Sequence, residues 1–454
     1  MRTRQPVLFF SRARNEFSKV ESQRRAWHNV LHGIAGFCAL LPVLLACFLL
    51  PVSAAGSISP STATAAPTCI IQVDGTAIAF PVAPLIQSGR ALVPFRAIAE
   101  SLGIAVNWVQ ETQTVHAVGY GKTVDLKTGS KTANIDGKAV PLDIAPFITS
   151  QRAVIPLRFF GEAFGCKVDW DGPNRTVRVV SPVKTMEITA WYAMDNNWAN
   201  LFGAAYPETA VGGTDALGRV VFGWYEMRED GSLSTSGTKG WKKPAGWESA
   251  LSGAQKAGLK IDLCAYMSDG SGELTRLMDN PAAWETAALS LVREAEVYNG
   301  VHLDLEGLGL TDTGDQLAAV RKQFTDFSRV VSKALHSAGK TLTLTLHPTN
   351  SAYKGYDMAA LALLADRIHL MAYDYGQKPE PSSLVQQAVN QALALVPKEK
   401  LILGISLASE TPESLLAKLA LAKRSNLAGV SLWRLGLMQE DDWLSLRDSI
   451  RPIR

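Results

Sequence analysis

The residues best suited to chemistry stand in the stretch Tyr298-Asn299-Gly300-Val301-His302-Leu303-Asp304-Leu305-Glu306, where apolar and polar positions alternate and two acids close the run. Side chains of a strand point to alternate faces, so His302, Asp304 and Glu306 share one face while Val301, Leu303 and Leu305 share the other. Two carboxylates beside an imidazole, projecting from the C-terminal end of a strand, suit acid–base chemistry. Neighbouring acids push their pKa values apart, which keeps one of them protonated near neutral pH. The alternative for this segment alone is an exposed edge strand carrying solvated charges.

The elements that must position these residues follow from Met186 onward, where apolar strands alternate with amphipathic helical stretches. Predicted strands begin near Glu187, Arg219, Leu259, Tyr298, Lys340, Arg367, Lys400 and Ala428. Helical patterns fall between them, such as Ala318 to Ala338 and Glu413 to Ser425. Eight β-then-α units in about 270 residues is the arithmetic of a TIM (β/α)8 barrel, whose active sites lie at the C-terminal strand ends. Asp304 and Glu306 close the fourth predicted strand. Met371-Ala372-Tyr373-Asp374 closes the sixth, Trp433 the eighth, Trp224-Tyr225-Glu226 the second and Ala265-Tyr266 the third.

With this set, the region from about 186 to 450 resembles glycoside hydrolase family 18. The family's fourth-strand signature, Asp-Gly-x-Asp-x-Asp-x-Glu, is met here by Asn299-Gly300-Val301-His302-Leu303-Asp304-Leu305-Glu306, and its sixth-strand Met-x-Tyr-Asp by Met371-Ala372-Tyr373-Asp374. Trp433 resembles the tryptophan that floors the −1 sugar site. The resemblance implies substrate-assisted retaining hydrolysis of β-linked N-acetylglucosamine polymers, an exception to the two-carboxylate scheme. Glu306 would be the acid and later the base. Asp304 would hold the acetamido N–H and offset the charge of the intermediate, and Tyr373 would donate to the acetamido oxygen. Asp374, Trp433, His302 and Met371 fall at substrate-binding positions, Met371 being better suited to packing. Tyr192, Trp224 and Tyr266 are unplaced candidates for sugar subsites. Peptidoglycan or spore cortex ranks first as substrate and chitin oligomers second. The rival is a non-catalytic glycan-binding protein on the same barrel, and a third reading is a wall-anchored scaffold with a vestigial barrel.

Two positions depart from the family pattern. Asn299 and His302 stand where the signature has Asp, although the spore-cortex branch of the family also relaxes the second of these. A neutral His302 removes a negative neighbour from Asp304, whereas a protonated one would hold Asp304 ionised. The activity optimum is therefore expected to be shifted. About twenty residues separate strands seven and eight, too few for the α+β insertion that deepens the groove of many chitinases, so an open cleft is expected.

The N-terminal part is organised differently. Basic residues precede an apolar run from Ile34 to Val52, and residues 1–55 read as a signal peptide or, through 34–52, a membrane anchor. Residues 56–67 form an Ala/Ser/Thr/Pro linker. In the segment 68–181 an internal repeat links Asp74 to Asp136, Pro84 to Pro146, Arg96 to Arg158 and Trp108 to Trp170, each pair 62 positions apart. The paired stretches Leu92-Val93-Pro94-Phe95-Arg96 and Val154-Ile155-Pro156-Leu157-Arg158 carry it most strongly. Each unit reads as an Asp-Gly hairpin, a strand, a small helix and a closing strand pair, a small α+β tandem-repeat domain. These units resemble the copper amine oxidase N-terminal-like stalk module, which implies spacing or cell-wall association. Trp108 and Trp170 are expected to be buried in their hairpins, with glycan stacking as the alternative.

The 454 residues suggest two or three domains, with the barrel over 185–454, and an apolar share of 47% is enough for sizeable cores. A net charge of +3 is too small to argue for nucleic acid. Beyond the leader only Cys69, Cys166 and Cys264 remain, which is no disulfide framework and fits an exported or envelope-associated chain only without one. No Cys/His cluster has metal-ligand spacing and no glycine-rich phosphate loop follows a strand, so no cofactor or metal is expected.

Overall fold

A computed structural model describes residues 69–193, 214–237 and 241–454. The leader and the linker lie outside the described residues. Among the described residues no helix is long and apolar enough to cross a membrane.

The barrel is built from eight parallel strands: β1 (Lys184–Ala193), β2 (Arg219–Met227), β3 (Lys260–Ser268), β4 (Gly300–Glu306), β5 (Thr341–Leu346), β6 (Arg367–Leu370), β7 (Leu401–Ser406) and β8 (Gly429–Trp433). Each pairs with the next, and β1 pairs with both β2 and β8, so the sheet closes. Every start lies within three residues of the position predicted from sequence. The helix Gly314–Ser337 joins β4 to β5, and Pro412–Arg424 joins β7 to β8. The latter begins with a capping box in which Thr411 and Ser414 satisfy each other's backbone N–H groups.

Parallel strands covered on both faces must be apolar outward and filled inward. In β4, Val301, Leu303 and Leu305 point outward into the large core beneath the helices, all at most 1% exposed. The inward positions of the barrel are sorted by height instead. At its N-terminal end lies an ionic layer: Arg219 bridges Asp262 (2.5 Å) and Glu187 (3.5 Å), and Arg367 reaches Glu187 at 3.2 Å. Above it an aromatic cluster holds Trp191, Trp241 and Cys264, with Tyr266 and Trp433 packed against it.

The N-terminal domain corrects one expectation. The two repeat units do not close their own sheets. The first unit's opening strand Ile70–Val73 runs parallel to the second unit's last strand, Thr176–Val180. The two Pro-ended strands Arg90–Pro94 and Arg152–Pro156 pair antiparallel at the centre, with Val93 opposite Ile155. A short hairpin and a seven-residue helix cannot bury an apolar face alone, so exchange of strands gives both units one shared core. Trp108, expected to be buried, is only half-buried. Trp170 is 48% exposed.

The two domains meet through buried polar contacts. The Asp74 carboxylate accepts from the Ser181 N–H (2.8 Å) and hydroxyl (2.7 Å), and Lys423 donates to the Ser181 carbonyl at 3.4 Å. Burial pulls the Lys423 ammonium below the usual lysine range. Gly103 abuts the barrel helix so closely that a Cβ there would lie 3.1 Å from the Arg424 Cα. Removing the shared acceptor by Asp74→Ala strands two buried donors and is expected to lower stability by about 2–3 kcal/mol. Denaturant titration with limited proteolysis at the connector 181–184 checks this; wild-type protection of that connector in the variant would refute the pinned joint.

Candidate active site

The C-terminal strand ends bring together most of the residues singled out from sequence. The period-two strand β4 lifts Asp304 and Glu306 to the rim beside Tyr266 and Ser268 of β3. Pairing of β4 with β5 stops at Leu303–Leu344, so the two strands part above that level. The space between them receives His347, the residue after β5. Its Nε2 lies 3.6 Å from Glu306 Oε2, and its ring packs on Tyr353.

Strand β6 is shorter than its apolar run suggested and ends at Leu370, so Met371, Tyr373 and Asp374 leave it as irregular backbone. Asp374 adopts a left-handed conformation at φ +65°. The buried Glu380 carboxylate accepts from the N–H groups of Asp374 (3.0 Å) and Tyr375 (3.1 Å), fixing the turn. The Tyr373 ring lies against Gly404 of β7, where a Cβ would sit 3.3 Å from its Cε1. A small cavity opens between Asp304, Met371, Tyr373 and Trp433. Trp433 lines it and packs on Trp191 (5.6 Å) and Trp241 (5.9 Å), while Trp241 stacks flat on Tyr266 at 4.2 Å.

Electrostatics single out the acid pair. Asp304 and Glu306 are direct neighbours on one strand face, and each bears on the other's proton affinity. Burial and the Glu306 charge push the Asp304 carboxyl well above the usual range. Burial, with the charge of Asp374 adding, raises Glu306 to about 7. Burial lowers His347 to about 4, so at neutral pH it is an uncharged neighbour that cannot hold Glu306 ionised. Tyr373 is driven well up by burial and then by Asp304, Glu306 and Asp374, which keeps its hydroxyl a donor. One proton therefore resides on the Asp304–Glu306 pair near neutrality.

His302 does not join this group. It is 0% exposed, one inward position below Asp304, and does not face the cleft as a binding residue. Its Nε2 pairs with Asp262 at 2.9 Å rather than with Asp304, and its ring packs edge-on to Trp191 and His369. The expectation that it sets the charge of Asp304 is thereby corrected, because its partner belongs to the ionic layer beneath. Asn299 is likewise structural: its Oδ1 accepts from the Ile261 N–H at 2.8 Å. Of the unplaced aromatics, Tyr266 reaches the site, whereas Tyr192 and Trp224 lie in the outer core. Sequence reading missed His347, Trp241 and Glu380. His347 directly follows a strand end, a usable signal; Glu380 acts through a turn that only the folded loop defines.

Fold and site together define a TIM barrel with a buried acid pair beside an aromatic cluster, preceded by a duplicated small domain. Residues 72–179 match the copper amine oxidase N-terminal domain family, inside the repeat segment. The chain is similar to the cortical fragment-lytic enzyme of Bacillus subtilis (strain 168), 23% identical, the match covering 40% of this chain and 58% of that protein. It thus spans less than two thirds of that relative. Among solved structures, the spore cortex-lytic enzyme SleL of Bacillus megaterium QM B1551 superposes with TM-score 0.50 and 16% identity over 68% of this chain and 79% of its own. A chitinase from Chromobacterium violaceum ATCC 12472 matches at TM-score 0.48 and 20% identity, over 58% of this chain and 98% of its own. The fold is shared with SleL.

Two measurements test the electrostatic description. Glu306 keeps its proton in the folded chain to about pH 7, whereas the unfolded chain releases it at the ordinary glutamate value, so the folded state is penalised as pH rises through that window. Glu306→Gln should raise the thermal midpoint by roughly 2 °C or more at about pH 8.5 and hardly change it near pH 4. A shift independent of pH would contradict proton sharing. His302→Asp would set a second buried carboxylate against Asp262 and should cost about 3 kcal/mol or more in denaturant, with His302→Gln, which keeps a donor, losing less.

Proposed function

We propose that the barrel is a glycosidase cleaving β-linked N-acetylglucosamine polymers in an exported or envelope-associated chain, with peptidoglycan or spore cortex first and chitin oligomers second as substrates. The observation that carries it is the Glu306 carboxyl at the rim beside Asp304, raised by burial and the Asp374 charge to about 7. A general acid works best with a pKa near the working pH, and the raised value of Glu306 supports that role. The similarity to a cortical fragment-lytic enzyme and to chitinases supports the same reading.

In this reading the proton on Glu306 passes to the glycosidic oxygen as that bond breaks. The substrate's acetamido oxygen attacks the anomeric carbon and forms an oxazolinium ion. Asp304, freed of its shared proton, accepts from the acetamido N–H and offsets the positive charge; the Tyr373 hydroxyl donates to the acetamido oxygen. Water then adds to the anomeric carbon, giving its proton to Glu306 and restoring the acid with retained configuration. The acetamido group would lie beside Asp304 and Tyr373, the pyranose face against Trp433, and the sugar hydroxyls near exposed Asp374. A single helix, Pro412–Arg424, joins β7 to β8, leaving the cleft open to a cross-linked polymer.

Turnover of purified peptidoglycan and of chito-oligosaccharides by wild type and Glu306→Gln is the direct test, with a loss of about 10³-fold expected. Equal products from both proteins would remove Glu306 from the role, and binding without turnover by wild type would favour a non-catalytic glycan binder. The kcat/KM profile should fall as pH rises through about 7. Asp374→Asn removes a negative neighbour and should move that fall to lower pH.

A further inference from the structure

The N-terminal domain carries a cleft of about 500 Å³ that none of its structural duties requires. It lies between the two repeats and falls within the ~300–1,000 Å³ range of small-ligand sites. Its floor is apolar, with Leu157 and Val177 buried and Val168 partly so. Its rim is charged but nearly balanced: Arg90 pairs with Asp143 at 2.8 Å, Arg158 with Glu162 at 4.0 Å, and Asp169 adds one negative charge. Trp170 stands along one wall, 48% exposed.

The duplicated sequence supplies an internal control. Trp108, at the equivalent position of the first unit, is half-buried, and its indole N–H donates to Gln110 at 2.7 Å. Sixty-two residues later the counterpart of Gln110 is Gly172. A Cβ there would meet only the Trp170 ring, at 3.5 and 4.0 Å, so the glycine leaves the indole edge uncovered. The fold accommodates both arrangements, and the uncapped one faces the cleft. An apolar ring face with a free N–H, beside fixed carboxylates and guanidinium groups of nearly cancelling charge, matches the alternating apolar faces and hydroxyls of a neutral sugar. The excess of acids over arginines disfavours a polyanion.

We infer that this cleft is a second glycan-binding site, with Trp170 as its stacking platform, holding the N-acetylated polysaccharide that the barrel is proposed to cut. The substrate class rests on that reading; the site itself does not.

The full chain carrying Glu306→Gln, titrated calorimetrically with N-acetylchitotetraose and pelleted with peptidoglycan stripped of anionic polymers, tests it. Two tetrasaccharides per chain are expected, falling to one in Trp170→Ala, with peptidoglycan affinity reduced at least about tenfold. Gly172→Gln, which copies the Trp108–Gln110 pair, should do the same without removing the aromatic ring. Unchanged stoichiometry and pelleting in both variants would overturn the inference. So would binding displaced by a free stem peptide and not by the tetrasaccharide, which would assign the cleft to peptide. If the hydrolase reading alone fails, wild type shows no turnover while Trp170-dependent binding persists; if this inference alone fails, turnover stands and binding ignores Trp170.

Discussion

Two carboxylates two residues apart on one parallel strand must occupy the same buried space, and they cannot both be charged there. That constraint organises the site. Among the described residues no arginine or lysine pairs with Asp304 or Glu306, and the imidazole nearest Glu306 is held neutral by burial. The arginines of the barrel interior are engaged below: Arg219 and Arg367 answer Glu187 and Asp262 at the opposite end. Their charges balance two against two, so little positive field reaches the rim. A single arginine turned upward would ionise the pair and discard the proton on which the proposed chemistry depends.

The rest of the barrel tolerates this unfavourable pair because its stability comes from elsewhere. The outward strand faces and the helices form one continuous apolar core, and burial of that surface at about 25 cal/mol per Å² far outweighs the local penalty. The interior can therefore be spent on polar groups sorted by height, ionic at the base, aromatic in the middle and acidic at the rim. Rigidity of the irregular rim comes from particular contacts. Glu380 clamps the Tyr373–Tyr375 turn, and Lys418 donates to the Glu380 carbonyl at 2.8 Å, tying the turn to the helix before β8.

What the sequence made legible was local. Strand starts could be read because buried parallel strands are continuous apolar runs between helical periods, and the site could be read because Asp304, Glu306, Tyr373 and Trp433 each end such a run. What it concealed was pairing between distant segments. Alternation places His302 on the inner face, but only the neighbouring strand shows that Asp262, not Asp304, is its partner. The constant 62-residue offset reveals two units, yet nothing in it says that the first strand of one completes the sheet of the other. Trp170 escaped for a related reason: Trp108 packs against the shared core and Trp170 does not, a difference of tertiary contact that the repeat pattern does not carry.

The exchange of strands also bears on how the two domains work together. A stalk of independent beads could swivel at each joint, but here the halves share one core, Asp74 of the first half holds Ser181, and Lys423 of the barrel donates to Ser181 in turn. Asp74 belongs to the first repeat and Ser181 follows the second, so the contact that completes the stalk is also the contact that seats it. Lys184, the first residue of β1, donates to the Lys423 carbonyl at 3.1 Å and closes the same junction from the barrel side. Burying a lysine and a carboxylate at one joint is costly unless the geometry is held, which ties the folding of the stalk to its attachment. The junction is therefore a set of buried contacts made by both domains and not a flexible tether of polar residues.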